Sequence, residues 1–287
     1  MTTHGSVTVG GHVIHYTAKA GNLILCDKAD KPTGEMFYVA YFKTGARLAQ
    51  RPIAFLYNGE PGGSSAPLQI GAFGPVRVMT QSHTHTPPAP YRLVENRYSL
   101  LDVSDLVFVD ALGTGFSRII GKVDGGVGTA KMFYGTDPDG QAFAQFITRF
   151  LSQYDRWNCP TYLIGESDGT TRSAVVAGTL EDDGNVDLNA VVLLSTILNF
   201  DMSIDQTNLN PGVNLPYALA LPAFAALAWY PERRSQPPAR LHPFLDEVQS
   251  SAMGPYLSAL NRGAAARRRR RSPRRWPGTR DCPRTTC

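Results

Sequence analysis

Cysteine and histidine are scarce in this chain of 287 residues, and each shortage excludes something. The four cysteines, Cys26, Cys159, Cys282 and Cys287, show no metal-ligand spacing, and two of them fall in an atypical C-terminal stretch. That rules out a disulfide framework and leaves the redox compartment open. Long hydrophobic runs are also missing. The most apolar stretch, LPYALALPAFAALAWY (215–230), has 16 residues and contains Pro216 and Pro222. It is short for a bilayer span, so a buried or cap helix is expected and no membrane partner. The N-terminus, MTTHGSVTVGGHVIHY, has neither a basic leader region nor an apolar core, so no signal peptide is expected and the compartment stays unassigned.

Positive charge is absent from most of the chain as an excess. The net charge is +4, but residues 263–287 hold nine arginines and one aspartate. Residues 1–262 therefore carry 19 Lys+Arg against 23 Asp+Glu, a net of −4. The globular part gives no reason to expect nucleic acid. Residues 263–287 contain five consecutive arginines and no Ile, Leu, Val or Phe. They cannot bury a core and are expected to be disordered. A nucleic-acid or targeting arm is one reading of this tail. A segment foreign to the fold, such as an out-of-frame run in a GC-rich gene, accounts for its composition better. The domain organisation expected is one domain over 1–262 and the arginine-rich tail over 263–287.

What is present is a strand-and-helix alternation. The first 45 residues alternate as strands: SVTVGGHVIHYTA reads as a hairpin around Gly10 and Gly11, and MFYVAYFKT as a further strand. Four short apolar runs follow: PIAFLYN (52–58), LVFVDAL (106–112), TYLIGES (161–167) and AVVLLST (190–196). Runs of this length suit strands buried on both faces of a parallel sheet. Between the second and third, TDPDGQAFAQFITRFLSQY opens on Asp137 as cap and on Pro138. Ala142, Phe143, Phe146, Ile147, Phe150 and Leu151 then recur at helical spacing. The fold class expected is α/β, a mostly parallel sheet with flanking helices.

The third run ends in Gly-x-Ser-x-Gly with Ser167 at the centre. The pentad alone is a weak signal. A strand leading into it and a helix-forming TTRSAVVAGTL after it make a nucleophile elbow, the glycines allowing the tight turn that lifts Ser167 off the sheet edge. Acyl transfer also needs oxyanion donors, commonly backbone N–H groups on a glycine-rich turn, and YNGEPGGSSAP (57–67) follows the strand PIAFLY.

Three blocks, FLYNGEPGGSSAPLQIGAFGPVR, ENRYSLLDVSDLVFVDALGTGFSR and YLIGESDGTTRSAVV, resemble in order and spacing the signature blocks of the S10 serine carboxypeptidases. The resemblance spans about residues 5–262. It implies an α/β-hydrolase fold and release of single residues from peptide C-termini, with no cofactor and no metal. Carried over by position, Ser167 is the nucleophile, and Asn58 and Glu166 bind the terminal carboxylate of a peptide substrate. Glu166 donates to a carboxylate only when protonated, which implies acidic working conditions. The oxyanion donors would be the backbone N–H groups of Glu60 and Asp168.

The pattern also breaks. Position 60 is glycine in the family and Glu60 here, and position 168 is tyrosine in the family and Asp168 here. A negative charge beside either donor opposes oxyanion formation. The base is missing from view. The fold's chain order is Ser, then Asp or Glu, then His, yet the one histidine after Ser167 is His242, at an apparent helix start. His4, His12, His15, His83 and His85 precede the nucleophile, and His83 with His85 lacks a third metal ligand. The acid and base would lie beyond the start of the arginine run. The chain is therefore expected to be a truncated, inactive member. The alternatives are a non-catalytic binder of peptide C-termini and an esterase-like hydrolase with His242 as substitute base.

Overall fold

The computed structural model describes residues 1–59, 62–81, 85–86, 88–207, 210–229 and 238–263. The expectations for Glu60, His83 and the tail beyond residue 263 fall outside the described residues. Two compact units are present, Met1–Ile197 and Leu198–Cys287, so a unit boundary falls inside the span read as one domain.

Among its described residues the first unit carries ten strands: β1 (Thr2–Val9), β2 (His12–Cys26), β3 (Pro32–Lys43), β4 (Ile53–Asn58), β5 (Val76–Val78), β6 (Leu93–Glu95), β7 (Asp105–Val109), β8 (Arg118–Ile119), β9 (Thr161–Glu166) and β10 (Ala190–Leu194). The main sheet runs β1-β2-β3-β7-β4-β9-β10, with β8 added on β3, while β5 and β6 pair separately. Its first three strands are antiparallel, with β3 antiparallel to β7, and β7, β4, β9 and β10 are mutually parallel. The β1–β2 hairpin closes on Gly10 and Gly11 at φ 57° and 84°, values a two-residue hairpin turn requires.

β4 and β7 are buried along nearly their whole length because both faces of the sheet are covered. Ile53, Phe55 and Tyr57 of β4, with Leu163 of β9, face a core shared with two helices. These are α1 (Thr136–Gln153) and α2 (Gly169–Asp182), and they pack on each other. The helical spacing read from sequence supplies Phe143, Phe146, Ile147, Phe150 and Leu151, all buried. Ala54, Leu56 and Ile164 face the opposite core, with Leu68, Leu101, Leu106 and Phe108.

Two local expectations are corrected. Asp137 is not the cap of α1. Gly135, at φ 135°, takes the N-cap, and Asp137 lies within the first turn, where its charge faces the positive helix end. AVVLLST was read as buried on both faces, yet Val191, Val192 and Leu193 are 37%, 46% and 48% exposed. The reason is position: β10 ends the sheet, and among the described residues it pairs with β9 alone.

The second unit contains α3 (Leu215–Trp229), α4 (Leu241–Ser251) and α5 (Leu257–Asn261), the last two joined by a wide turn over Ala252–Tyr256. α3 packs against α4. Among the described residues no helix is long and apolar enough to cross a membrane.

Candidate active site

β9 runs straight into the pentad, and Ser167 sits at the turn at φ 57°, a left-handed conformation that L residues rarely hold. Three hydrogen bonds pin it, one of them from the Thr170 N–H to its carbonyl (3.0 Å). Its N–H donates to the Leu194 carbonyl (2.9 Å), and its carbonyl accepts from the Thr170 hydroxyl (2.6 Å). The glycines around it are required sterically. A Cβ on Gly165 would collide with the Gly169 carbonyl and the Ser173 hydroxyl, closing the space where α2 meets β9. This is the strand–turn–helix elbow expected from the sequence.

Ser167 precedes the N-terminus of α2, a helix of 14 residues, so the positive end of the helix lies at Ser167. Asp168 is the N-cap. Its N–H has no acceptor among the described residues. Gly59, just past β4, approaches this turn so closely that a Cβ would overlap the backbone of Asp168 and Gly169. The chain entering the glycine-rich turn is thus packed on the residue that follows the nucleophile.

Asn58 and Glu166 are register partners on the parallel strands β4 and β9. Side chains alternate along a strand, so both point to the face that carries Ala54, Leu56 and Ile164. They are half-buried neighbours at the carboxyl edge of the sheet, one residue before Ser167 and one before Gly59.

The turn after β4 is held from below by Asp110, the residue that follows β7. One carboxylate oxygen accepts from the Ser65 N–H (2.8 Å) and the other from the Phe116 N–H (3.3 Å). The Ser65 hydroxyl donates to the Val109 carbonyl (2.5 Å) and accepts from the Asn58 N–H (3.1 Å). Burial pushes the Asp110 carboxyl above the usual aspartate range, and the two N–H donors partly offset it. Neither Asp110 nor Ser65 stands out in the sequence as a site residue. A carboxylate at the end of an apolar strand run was the available signal.

Arg172, on the first turns of α2, was also passed over. Its Nε donates to Asp139 Oδ2 (2.5 Å) and its Nη1 to the Asn58 carbonyl (2.7 Å). The guanidinium lies 4.5 Å from the Phe143 ring centroid and 5.5 Å from that of Tyr57. Burial raises the Asp139 carboxyl from its usual range, with Arg172 lowering it in part. Tyr57, buried below, is pushed up to about 12 by desolvation, and its hydroxyl pairs with that of Ser173 (2.8 Å).

Among the described residues the Ser167 hydroxyl has no hydrogen-bond partner. His4 lies on β1 and His12 and His15 on β2, all exposed. Those strands are separated from β9 by β3, β7 and β4, roughly 20 Å at the usual strand spacing. His85 is exposed in a loop, and His242 lies in the first turn of α4 in the second unit. Among the described residues no group of His, Cys, Asp and Glu could hold a metal ion.

Comparison with known proteins fits this geometry. A family model described as serine carboxypeptidase, Peptidase S10, matches residues 15–189. The chain belongs to the S10 serine carboxypeptidase family. Among solved structures it is similar to Kex1, a prohormone-processing carboxypeptidase from Saccharomyces cerevisiae, at 19% identity and a TM-score of 0.51. That match covers 83% of this chain and 53% of Kex1. Weaker matches include the peroxisomal α/β-hydrolase Lpx1 of the same yeast, at 13% identity and a TM-score of 0.36, covering 75% of this chain and 51% of Lpx1. The Aspergillus niger epoxide hydrolase matches at 14% identity and a TM-score of 0.36, covering 83% and 57%. This S10 chain spans about half the length of these structures, and its mostly parallel sheet with flanking helices is the α/β-hydrolase fold. The search of curated proteins by sequence found no match.

Proposed function

We propose that this S10 chain forms the nucleophile and substrate-carboxylate half of a carboxypeptidase site. Ser167 is the attacking group, the N–H groups of residue 60 and Asp168 receive the oxyanion, and Asn58 with Glu166 hold the free C-terminus of a peptide. The observation that carries this reading is the register pairing of Asn58 with Glu166 beside a Ser167 held at positive φ. A carboxylate seated between those side chains lies next to the nucleophile, as removal of a single terminal residue demands.

With no base on the Ser167 hydroxyl among the described residues, the hydroxyl is not activated as a nucleophile. Turnover by the 287-residue chain then rests on binding and the oxyanion donors, a loss of roughly 10⁴–10⁶-fold against an intact triad. Asp168 lowers it further, since a carboxylate beside the donor repels a developing oxyanion. The test is release of the terminal amino acid from a blocked dipeptide, acidic to neutral pH, with Ser167→Ala as control. A fluorophosphonate should label Ser167 no faster than an unactivated serine. Rapid stoichiometric labelling would overturn the half-site reading and favour a hydrolase with a substitute base, His242 being the first to replace.

A further inference from the structure

We infer that Arg172 is a positioning residue for this site: it sets the peptide plane between Asn58 and Gly59, and with it the carboxylate cradle and the oxyanion turn. The inference rests on the proposed roles of Asn58 and Asp168 and assigns the part that holds them in place.

Arg172 joins three elements at one point. Its backbone N–H bonds the Asp168 carbonyl (3.1 Å), fixing it within the turn that carries the nucleophile. Its Nη1 takes the Asn58 carbonyl at the end of β4, and its Nε takes Asp139 in the first turn of α1. The side chain is 6% exposed, and its guanidinium is flanked by the Phe143 and Tyr57 rings. A peptide is planar, so fixing the Asn58 carbonyl direction also fixes the Gly59 N–H and Cα in the same plane. Gly59 is in turn packed on the backbone of Asp168. One guanidinium therefore couples the strand that presents Asn58 to the helix turn that presents the Asp168 N–H. Asp139 orients the guanidinium, and the rings restrict its swing. A lysine at 172 could hold one of the two acceptors, since its ammonium lacks the planar fork.

The experiment uses the full chain, with Arg172→Met, Arg172→Lys and Asp139→Asn beside the wild type. Two quantities are read. The first is the ratio of affinities for an N-blocked dipeptide as free acid and as C-terminal amide. The second is amide hydrogen exchange across residues 57–60 and 166–170 compared with β7. In Arg172→Met the acid preference should fall at least fivefold, and exchange in the two segments should rise about tenfold with β7 unchanged. Arg172→Lys should recover part of both. Asp139→Asn, which keeps the arginine, should show a smaller change of the same kind. Retention of the acid preference in Arg172→Met, or a uniform rise in exchange, would make Arg172 a general stabiliser and overturn the inference. If the wild type shows no acid preference, the carboxylate reading fails, and the exchange pattern alone decides the role of Arg172.

Discussion

Replacing Asp105 with alanine should be among the most damaging single changes in the first unit. Asp105 opens β7, and its side chain is fully buried. Oδ1 accepts from the Lys43 N–H (2.9 Å) and Arg51 Nε (2.7 Å), while Oδ2 accepts from Arg156 Nη1 (2.7 Å). Arg156 is also fully buried, and its Nη2 donates to the Arg51 carbonyl (2.7 Å). The three residues tie the starts of β4, β7 and β9 together, at the sheet edge opposite Ser167. Two guanidiniums already share one carboxylate, and among the described residues Arg156 Nε has no partner and the cluster no spare acceptor. Removing Asp105 leaves a buried, uncompensated cation, which costs roughly 3–5 kcal/mol. For a unit of this size that corresponds to a melting shift of about 6–20 °C. Urea and thermal unfolding of the full chain would measure it. The double variant Asp105→Leu with Arg156→Met removes the stranded charge and should recover much of the loss. A single-variant cost below about 1 kcal/mol, or a double variant worse than the single, would refute the reasoning.

Three further outcomes follow from the geometry. Gly165→Ala should distort the elbow, because its Cβ meets the Gly169 carbonyl and Ser173 hydroxyl; a lowered melting temperature with loss of peptide binding is expected, and normal binding would contradict it. Phe150→Ala should cost about 3–5 kcal/mol in urea unfolding, since Phe150 is fully buried against Tyr38, Phe55 and Phe146. The Asp110 and Asp139 carboxyls should titrate above 3.8 by carbon-detected NMR, burial being the leading cause for both. With folded midpoints raised, the stability each contributes is complete below the unfolded midpoint and is lost as pH rises through the folded one. Midpoints at or below 3.8 would remove that account.

The parallel strands and the elbow were legible because uninterrupted apolar runs and a Gly-x-Ser-x-Gly pentad have few other folded solutions. The edge character of β10 was not, since AVVLLST has the composition of a covered strand, and exposure depends on what stands beside it. The pairing of Asn58 with Glu166 was inferred from family resemblance, and the structure places the two in register across β4 and β9. Arg172, Asp110 and the Asp105 cluster stayed hidden. Each acts through backbone carbonyls or N–H groups distant in sequence, and a charged residue inside an apolar pattern does not announce its partner.

The most direct measurement is the affinity of the full chain for one N-blocked dipeptide presented as free acid and as amide, repeated with Asn58→Ala. Charge-assisted hydrogen bonds to a terminal carboxylate are worth about 1.5–3 kcal/mol, so the acid should bind the wild type about ten- to a hundredfold more tightly. The preference should vanish in Asn58→Ala while the protein stays folded. Equal binding of acid and amide by the wild type would contradict the claim that this edge of the sheet is built for peptide C-termini.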